Sequence, residues 1–229
     1  MPAPARTSTD AIIAAGRAIL ERDGPDGLTM QAVANDVGVR APSLYKRVRD
    51  RAALVRLVVD AVARDLAARL DEAATSGDPH QDLQALMAAF RAFAHANPAA
   101  YPLLLDPRSG GPSPQALGES SATVLRVSAA LAGEDLALPA ARTVVAWATG
   151  FLSMELAGAF QLGGDVDEAW EYGAGLLAES LQRPDQRKSM RSMSSSGPSV
   201  GGSSPRSVGG VSRSGSDRSG SGRSRRSAR

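Results

Sequence analysis

Residues 28–48 read LTMQAVANDVGVRAPSLYKRV, and this stretch predicts two short helices that are joined by a tight turn. The first helix is expected at Met30–Asp36 and the second at about 40–46. Gly38 lies between them, where a sharp turn between helices requires a residue that tolerates a positive φ. The pattern is that of a helix-turn-helix, in which the second helix lies in the major groove of DNA.

The composition of the 229 residues excludes several classes of protein. Apolar residues make up 43%, so most of the chain can fold, whereas only 4% aromatic residues argue against a single-strand binder that stacks bases. The lack of cysteine excludes disulfides and Cys-ligated zinc, and two histidines make a His-rich site unexpected, so we expect no metal and no cofactor. Neither a signal peptide nor a run of about 18 apolar residues is evident. A soluble cytoplasmic protein with no membrane partner is therefore predicted.

Charge is distributed unevenly along the chain. The net formal charge is +3 over residues 1–70, −10 over 71–182 and +9 over 183–229, which gives +2 in total. A basic N-terminal segment beside an acidic middle suggests that one end meets a polyanion and that the middle avoids it.

Helical periodicity recurs along the chain and strand signals are absent, so the fold is predicted to be all-α. After the helix-turn-helix, a fourth helix at about 51–74 links the N-terminal three-helix bundle to a C-terminal helical domain. A helix at about 139–162 is apolar nearly all round, which predicts burial inside the domain and against a second subunit. The predicted boundaries are a flexible arm at 1–7, a DNA-binding domain at 8–52, a second domain at 53–182 and a tail at 183–229.

The tail is rich in Ser, Gly and Arg and contains no Leu, Ile or aromatic residue. Such a segment buries too little apolar surface to offset its chain entropy, and it is predicted to be disordered. Two roles remain open for it. It either adds salt-sensitive, sequence-independent affinity for DNA, or it is a solvated extension of no consequence.

Residues 23–55, DGPDGLTMQAVANDVGVRAPSLYKRVRDRAALV, resemble the TetR/AcrR family of bacterial transcriptional regulators. A tyrosine near the end of the recognition helix, here Tyr45, and a basic residue just before helix 4, here Arg51, are typical of that family. Residues 146–160, AWATGFLSMELAGAF, are similar to the C-terminal domain of one branch, in which Trp-His-Gly is usual. Trp147 and Gly150 correspond to that motif, but no histidine lies between them.

Two positions depart from the family's pattern. Arg40 stands where Ser or Thr commonly precedes the recognition helix; it cannot cap the helix, but it can reach a phosphate or a guanine edge. Val48 stands where an aromatic residue is frequent, so packing against the fourth helix is expected to differ slightly.

The residues expected at DNA surround the recognition helix. Its first turn normally faces base edges, whereas a phenol, an ammonium or a guanidinium suits phosphate oxygens. A hydroxyl and exposed amides at a helix N-terminus can also aid phosphate binding. The alternative reading is a solvated basic face with ordinary helix caps. The candidates are Thr29, Arg40, Ala41, Pro42, Ser43, Tyr45, Lys46, Arg47 and Arg51.

The resemblance implies a ligand pocket in the C-terminal domain, because a helical bundle can line an apolar cavity with a few polar groups. Core packing is the alternative for each candidate residue. A homodimer is expected through the helices at about 139–162 and 166–181, since one short recognition helix reads too few bases. The pocket candidates are Phe90, His95, Tyr101, Trp147, Phe151 and Met154.

The predicted function is a ligand-responsive, dimeric transcriptional regulator, most simply a repressor that binds a palindromic operator in double-stranded DNA. Its effector would be a small molecule of unknown identity. One alternative is a DNA-compacting protein that binds without sequence preference through the tail. A helical-bundle enzyme is disfavoured, because the sequence has no Glu-x-x-His pair and no Gly-rich phosphate loop.

Overall fold

The computed structural model describes residues 8–106 and 110–181, and within this part of the chain there is no strand. The predicted all-α fold is therefore confirmed. The predicted arm at 1–7 and the basic tail at 183–229 lie outside the described residues. The helices are α1 Thr9–Gly27, α2 Met30–Asp36, α3 Ala41–Tyr45, α4 Arg51–Ala73, α5 Pro79–Ala96, α6 Tyr101–Leu105, α7 Pro114–Ala132, α8 Ala137–Leu156 and α9 Val166–Ser180.

Helices α1, α2 and α3 form the N-terminal bundle. Ile12 and Ile19 of α1 are fully buried in one apolar core with Val33 of α2 and Leu44 of α3. Gly38 has a φ of 71°, the positive value that the turn was predicted to require. The two short helices thus form a helix-turn-helix, as their sequence predicted.

Helix α1 extends to Gly27, but it is not continuous. Gly24 has φ 73° and ψ −177°, which interrupts the helix, and Pro25 begins the short turn that follows. The DGPDG segment therefore breaks the helix as its composition predicts, and one further turn is retained beyond the break.

Helix α4 joins the N-terminal bundle to the rest of the chain. The Asp50 carboxylate caps it by accepting a hydrogen bond from the N–H of Ala53 at 2.8 Å. Helix α4 packs on α1 near its start and on α5 and α7 further along. A Cβ on Gly16 of α1 would lie only 2.5 Å from Cγ2 of Val58. The lack of a side chain at Gly16 therefore sets the close spacing of α1 and α4.

Helices α5, α7, α8 and α9 form the C-terminal bundle. The prediction that the penultimate helix continues to about 162 is wrong, because α8 ends at Leu156. Gly158 follows with a φ of 63°, a left-handed conformation that ends a helix. The exposed segment that follows α8 folds back, so that the ring of Phe160 contacts the ring of Phe151 on α8 with centroids 4.8 Å apart.

Two polar side chains of α1 attach the N-terminal bundle to the C-terminal bundle. Arg17 donates a hydrogen bond to the Asp65 carboxylate of α4 at 2.7 Å. One turn later, the Glu21 carboxylate accepts hydrogen bonds from the N–H groups of Ala99 and Ala100, each at 3.0 Å. Helix α1 is thereby fixed both to α4 and to the connection between α5 and α6.

Candidate functional site

The short helix α3 carries most of the residues that were predicted to contact DNA. Leu44 is fully buried and anchors the helix to the bundle, whereas Tyr45 on the next position is 53% exposed. Ala41 and Ser43 are half-buried, and Pro42 is exposed in the first turn. We call this group the recognition surface: Arg40, Ala41, Pro42, Ser43, Tyr45, Lys46 and Arg47.

The recognition surface is basic. Arg40, Lys46 and Arg47 are exposed, and none of them forms an ion pair with any residue in the described part of the chain. The nearby Arg49, by contrast, pairs with Asp50 at 2.8 Å. Three unpaired cations around an exposed phenol form a surface that suits the phosphate oxygens of a polyanion.

Arg40 occupies the N-cap position of α3 and makes no hydrogen bond that caps the helix, in agreement with its sequence-based interpretation. Pro42 has no N–H and therefore loses nothing in the first turn. The guanidinium of Arg40 is left at the surface, where it is free to reach a phosphate or a base edge.

Thr29 is the N-cap of α2. Its Oγ1 accepts a hydrogen bond from the N–H of Ala32 at 3.1 Å. Because a hydroxyl is also a donor, Thr29 retains one proton that can be donated to a phosphate oxygen. The cap and the predicted DNA contact are therefore compatible.

The structure gives Arg51 a different role from the predicted phosphate contact. Its Nε donates to the carbonyl of Leu28 at 3.0 Å, and its Nη2 donates to the carbonyl of Pro25 at 2.6 Å. These carbonyls belong to the turn between α1 and α2, which lies far from Arg51 in sequence. Arg51 thus ties the start of α4 to that turn.

A largely apolar cavity of about 110 Å³ lies between α4, α5, α6, α7 and α8. Phe90 and Tyr101 line it, with their rings in edge-to-face contact at 5.6 Å between centroids. Leu105 and Leu117 form an exposed rim, at 41% and 53% exposure. This cavity lies at the centre of the C-terminal bundle and touches α6, the helix beside the Glu21 contact.

Tyr101 is the polar group of this region. Its side chain is buried, and neither its hydroxyl nor that of the nearby Thr149 has a hydrogen-bond partner of normal geometry. Burial raises the pKa of Tyr101, and the neighbouring Thr149 hydroxyl opposes that shift only in part. The phenol therefore stays protonated at neutral pH and is available as a donor.

A second, more open cleft of about 800 Å³ lies between α5 and α9. The Arg91 side chain lies in this cleft. Its guanidinium donates hydrogen bonds to both carboxylate oxygens of Glu155 and to the carboxylate of Asp167 at 2.5 Å. The same guanidinium lies 5.4 Å from the centroid of the Trp170 ring. His95 Nε2 lies 3.2 Å from Glu155. The one arginine of the cleft is thus bound by two of its carboxylates. No group of three or more His, Asp or Glu side chains in the described part of the chain could hold a metal ion.

Burial by itself would raise the pKa of Glu155, but the hydrogen bonds from Arg91 and His95 outweigh that effect. The pKa of Glu155 therefore lies below its ordinary value of 4.5. Arg91 and Glu155 are only 17% and 11% exposed, so this ion pair is part of the packing between α5 and α8.

The structure does not bring the six predicted pocket residues together. Phe90 and Tyr101 line the cavity, but His95 lines the cleft instead. Trp147 and Phe151 pack with Trp170 in an aromatic cluster between α8 and α9. Met154 is 46% exposed. For the three residues on α8, the sequence gives no signal for which face meets the cavity, because that helix is apolar nearly all round.

Sequence reasoning missed other residues of the cavity wall. On α8 the wall is formed by Val144, Val145 and Ala148, the last of which follows the predicted Trp147 directly. On α7 it includes Ser121 and Val124, which were assigned to no site. Their helical spacing alone predicts a buried face, so nothing in the sequence distinguishes cavity wall from core.

The outer surface of α8 and α9 carries apolar side chains that the described chain leaves uncovered. Tyr172 and Leu176 on α9 are 70% and 46% exposed, and Leu138 on α8 is 48% exposed. Ala146 and Gly150 follow the same outer side of α8 and leave room for the close approach of another helix. Residues 134–156 also form the one helical segment in the described part of the chain that is long and apolar enough to cross a membrane. Of its most apolar 18 residues, 28% are buried. A helix that pairs with a second subunit has the same properties.

Comparison with known proteins relates both halves of the chain to one group. Residues 12–58 match the family described as bacterial regulatory proteins, tetR family. Residues 83–177 match the tetracyclin repressor-like C-terminal domain. A similar curated protein is an uncharacterized HTH-type transcriptional regulator of Mycobacterium tuberculosis, 30% identical over 169 residues, which are 72% of this chain and 76% of that protein.

Solved structures share the fold. A protein of unknown function from Rhodococcus sp. RHA1 is 23% identical, with a TM-score of 0.65 over 80% of this chain and 98% of the other. A variant of TetR from Acinetobacter baumannii AYE, solved in complex with minocycline, is 22% identical, with a TM-score of 0.57 over 76% and 95% of the two chains.

Proposed function

The chain belongs to the TetR family of bacterial transcriptional regulators, and from that membership we propose that it is a ligand-responsive repressor that binds a palindromic operator as a homodimer. The family is one of DNA-binding regulators and not of enzymes. The Trp-His-Gly branch of the family remains a prediction for this chain. A regulator of this kind acts where the chromosome is, so we place it in the cytoplasm.

The observation that carries the proposal is the recognition surface. Arg40, Lys46 and Arg47 are unpaired cations on a helix whose outer residues point away from the core. The first turn would read base edges in the major groove, while Tyr45 and Lys46 would donate to phosphates. The acidic C-terminal domain would stay off the DNA.

A homodimer follows from the geometry of reading DNA. One copy of α3 spans five residues and reads too few bases for a specific site, whereas two copies related by a twofold axis read both halves of a palindrome. The uncovered outer surface of α8 and α9 supports pairing through these helices in a four-helix interface. Sedimentation of the purified chain tests this assembly.

The cavity is the proposed effector site. Helix α4 contributes Leu66 and Leu70 to the cavity wall and begins next to the helix-turn-helix, so it can transmit a change in the wall to the recognition surface. An effector releases DNA only if it binds the DNA-incompetent state better than the competent one. The spacing between the two recognition helices is then the quantity that changes.

Selection of bound fragments from a random pool of double-stranded DNA, repeated at several salt concentrations, tests the proposal. We expect a palindromic consensus that persists as the salt concentration rises, because base contacts do not depend on counterion release. Recovery of DNA with no consensus at any salt concentration would argue for non-specific compaction. In that case truncation after Gln182 should abolish binding, whereas specific binding should survive it.

A further inference from the structure

Among the described residues, those that line the cavity include no charged side chain. These residues are apolar or aromatic, Tyr101 among them, apart from two half-buried serines, Ser120 and Ser121. Between described residues, the ion pairs of the C-terminal domain lie outside the cavity, for example Arg91–Glu155 in the cleft and Arg64–Glu119 at the surface. A carboxylate or ammonium inside this cavity would therefore meet no opposite charge.

Taking an unpaired charge out of water is far more costly than taking out a neutral group, because only a counter-charge or several hydrogen bonds can offset its lost hydration. An apolar molecule, by contrast, gains free energy in proportion to the apolar surface that it buries. We propose that the effector is a small, uncharged and largely apolar molecule with one hydrogen-bonding oxygen. This inference rests on the proposed effector site and adds the chemical class of its ligand.

The volume limits the size of the ligand. An apolar cavity of about 150 Å³ in another protein binds benzene. The present cavity, at about 110 Å³, is smaller, so it suits a short aliphatic chain, and a single ring enters it only if the exposed rim adjusts. A larger ligand would have to displace Leu105 and Leu117, the exposed side chains of the rim.

The single polar group of the ligand is assigned from the unsatisfied atoms of the protein. The hydroxyls of Tyr101 and Thr149 are buried near each other, and neither has a hydrogen-bond partner of normal geometry among the described residues. A buried hydroxyl that lacks a partner is costly, so a ligand oxygen that accepts from Tyr101 recovers that free energy. Tyr101 thus distinguishes an alcohol, ketone or phenol from a plain hydrocarbon of the same shape.

The larger cleft between α5 and α9 is the competing site. Its wall contains Arg91, His95 and three carboxylates, and it would suit a charged or zwitterionic ligand. Its central cation is already bound by Glu155 and Asp167, so a ligand would have to break those contacts. The cavity has no such competition, and its wall includes α6, which contacts the DNA-binding bundle through Ala100.

Benzyl alcohol, benzoate and benzylammonium have the same ring and differ in charge at pH 7, so they test the proposal. The full chain is titrated with each by calorimetry, and toluene is added as the hydrocarbon reference. We expect benzyl alcohol to bind at least about tenfold more tightly than either ion, a difference typical of an uncompensated charge. Equal or tighter binding of benzoate or benzylammonium overturns the proposal, as does the failure of both benzyl alcohol and toluene to bind.

Three variants locate the site. Ser121→Phe fills the cavity from its half-buried edge and should abolish binding of benzyl alcohol, whereas Ala92→Phe fills the cleft and should leave it unchanged. Tyr101→Phe keeps the ring and removes the hydroxyl, so it should weaken benzyl alcohol about three- to tenfold without affecting toluene. The opposite result for Ser121→Phe and Ala92→Phe places the ligand in the cleft and overturns the assignment.

The failure of this inference is distinguishable from the failure of the proposed function. Operator binding is measured on the same samples by gel shift. A chain that binds its operator but prefers benzoate contradicts the ligand class alone. A chain that selects benzyl alcohol but binds no specific DNA supports the ligand class and contradicts the regulatory role.

Discussion

The carboxylate of Glu21 accepts a hydrogen bond from the backbone N–H of Ala100 at 3.0 Å, and a second one from the preceding residue. Glu21 belongs to α1 of the DNA-binding bundle, whereas Ala100 immediately precedes α6. The next residue, Tyr101, forms part of the cavity wall. One carboxylate therefore joins the cavity to the helices that carry the recognition surface.

Replacing Glu21 by Ala is expected to free the N–H groups of Ala99 and Ala100. Their hydrogen exchange should accelerate, and stability should fall by about 1 kcal/mol, the usual worth of such a bond at a partly exposed site. Where an effector releases the operator, the variant should respond less, because α6 no longer holds α1. Glu72→Ala, an exposed carboxylate on α4, is the control and should change neither quantity. Unchanged exchange at both amides in the Glu21 variant would contradict this link.

A Tyr45→Ala, Lys46→Ala double variant should lose operator binding in a gel shift but sediment as the wild-type chain does. Both side chains are exposed and contribute nothing to the core, so folding is expected to be unaffected. In a plot of the logarithm of operator affinity against the logarithm of salt concentration, Lys46→Ala alone should reduce the slope by roughly one, the value for the loss of one phosphate contact. Arg64→Ala, which removes a cation far along α4, provides the comparison. Wild-type operator affinity in the double variant would refute the assignment of the recognition surface.

Replacing Arg40 by Ser should separate stability from DNA binding. Serine can cap α3, which Arg40 does not, so the free energy of unfolding should rise by about 0.5–1 kcal/mol. Operator affinity should fall, because the exposed guanidinium is lost. Thermal unfolding measures the change in stability, and a gel shift on the same sample measures the change in operator affinity. An increase in stability with undiminished affinity would leave Arg40 with no role at DNA.

Gly173→Ala is expected to disrupt the packing of α9 on α8. A Cβ at this position would lie 2.0 Å from Cζ2 of Trp147, in a cluster where the ring also contacts Phe151 and Trp170. Such overpacking typically costs about 1–3 kcal/mol. At Gly118 on α7 nothing lies within 4 Å of the new Cβ, so Gly118→Ala should instead stabilise by up to about 1 kcal/mol. Denaturant unfolding that gives the two variants the same sign would rule out this close contact.

Glu155→Gln should destabilise the chain in a way that depends on pH. Because the folded-state pKa of Glu155 is lowered, its contribution is fully present above the ordinary value of 4.5 and is lost as the pH falls through the folded value. At pH 7 the variant should be less stable by about 1–3 kcal/mol, since the neutral amide leaves the mostly buried Arg91 poorly paired. The difference should shrink as the pH falls below 4.5. Glu171→Gln, at the exposed edge of the cleft, is the control. A difference between variant and wild type that does not vary with pH would mean that this carboxylate is not ionised in the folded chain.

The helix-turn-helix was predictable because its signals are local. Thr29 and Asp50 cap helices through bonds to the third residue along the chain, and Gly38 is required by the turn that it occupies. Contacts between distant residues had no such signal. The sequence placed Arg51 at a phosphate, but the structure occupies it with carbonyls 23 and 26 residues earlier.

The cavity of the C-terminal bundle shows the same limit. Phe90 and Tyr101 line the cavity, whereas Trp147 and Phe151 belong to the cluster with Trp170. A helix that is apolar on every side has no periodicity from which its neighbours could be inferred. Only the packing of α8 against α7 and α9 determines which of its apolar faces meets the cavity.

The sequence by itself determined the helical class, the helix-turn-helix and the basic character of the recognition surface, because these depend on residue type and on spacings of three to four residues. The tertiary structure alone decided where the cavity lies, which charges pair across the cleft, and that Glu21 reaches the N-terminus of α6. Those features depend on the positions of helices that are remote in sequence. The distances between such helices are set by steric contacts such as Gly16 on Val58 and Gly173 on Trp147, which no local pattern records.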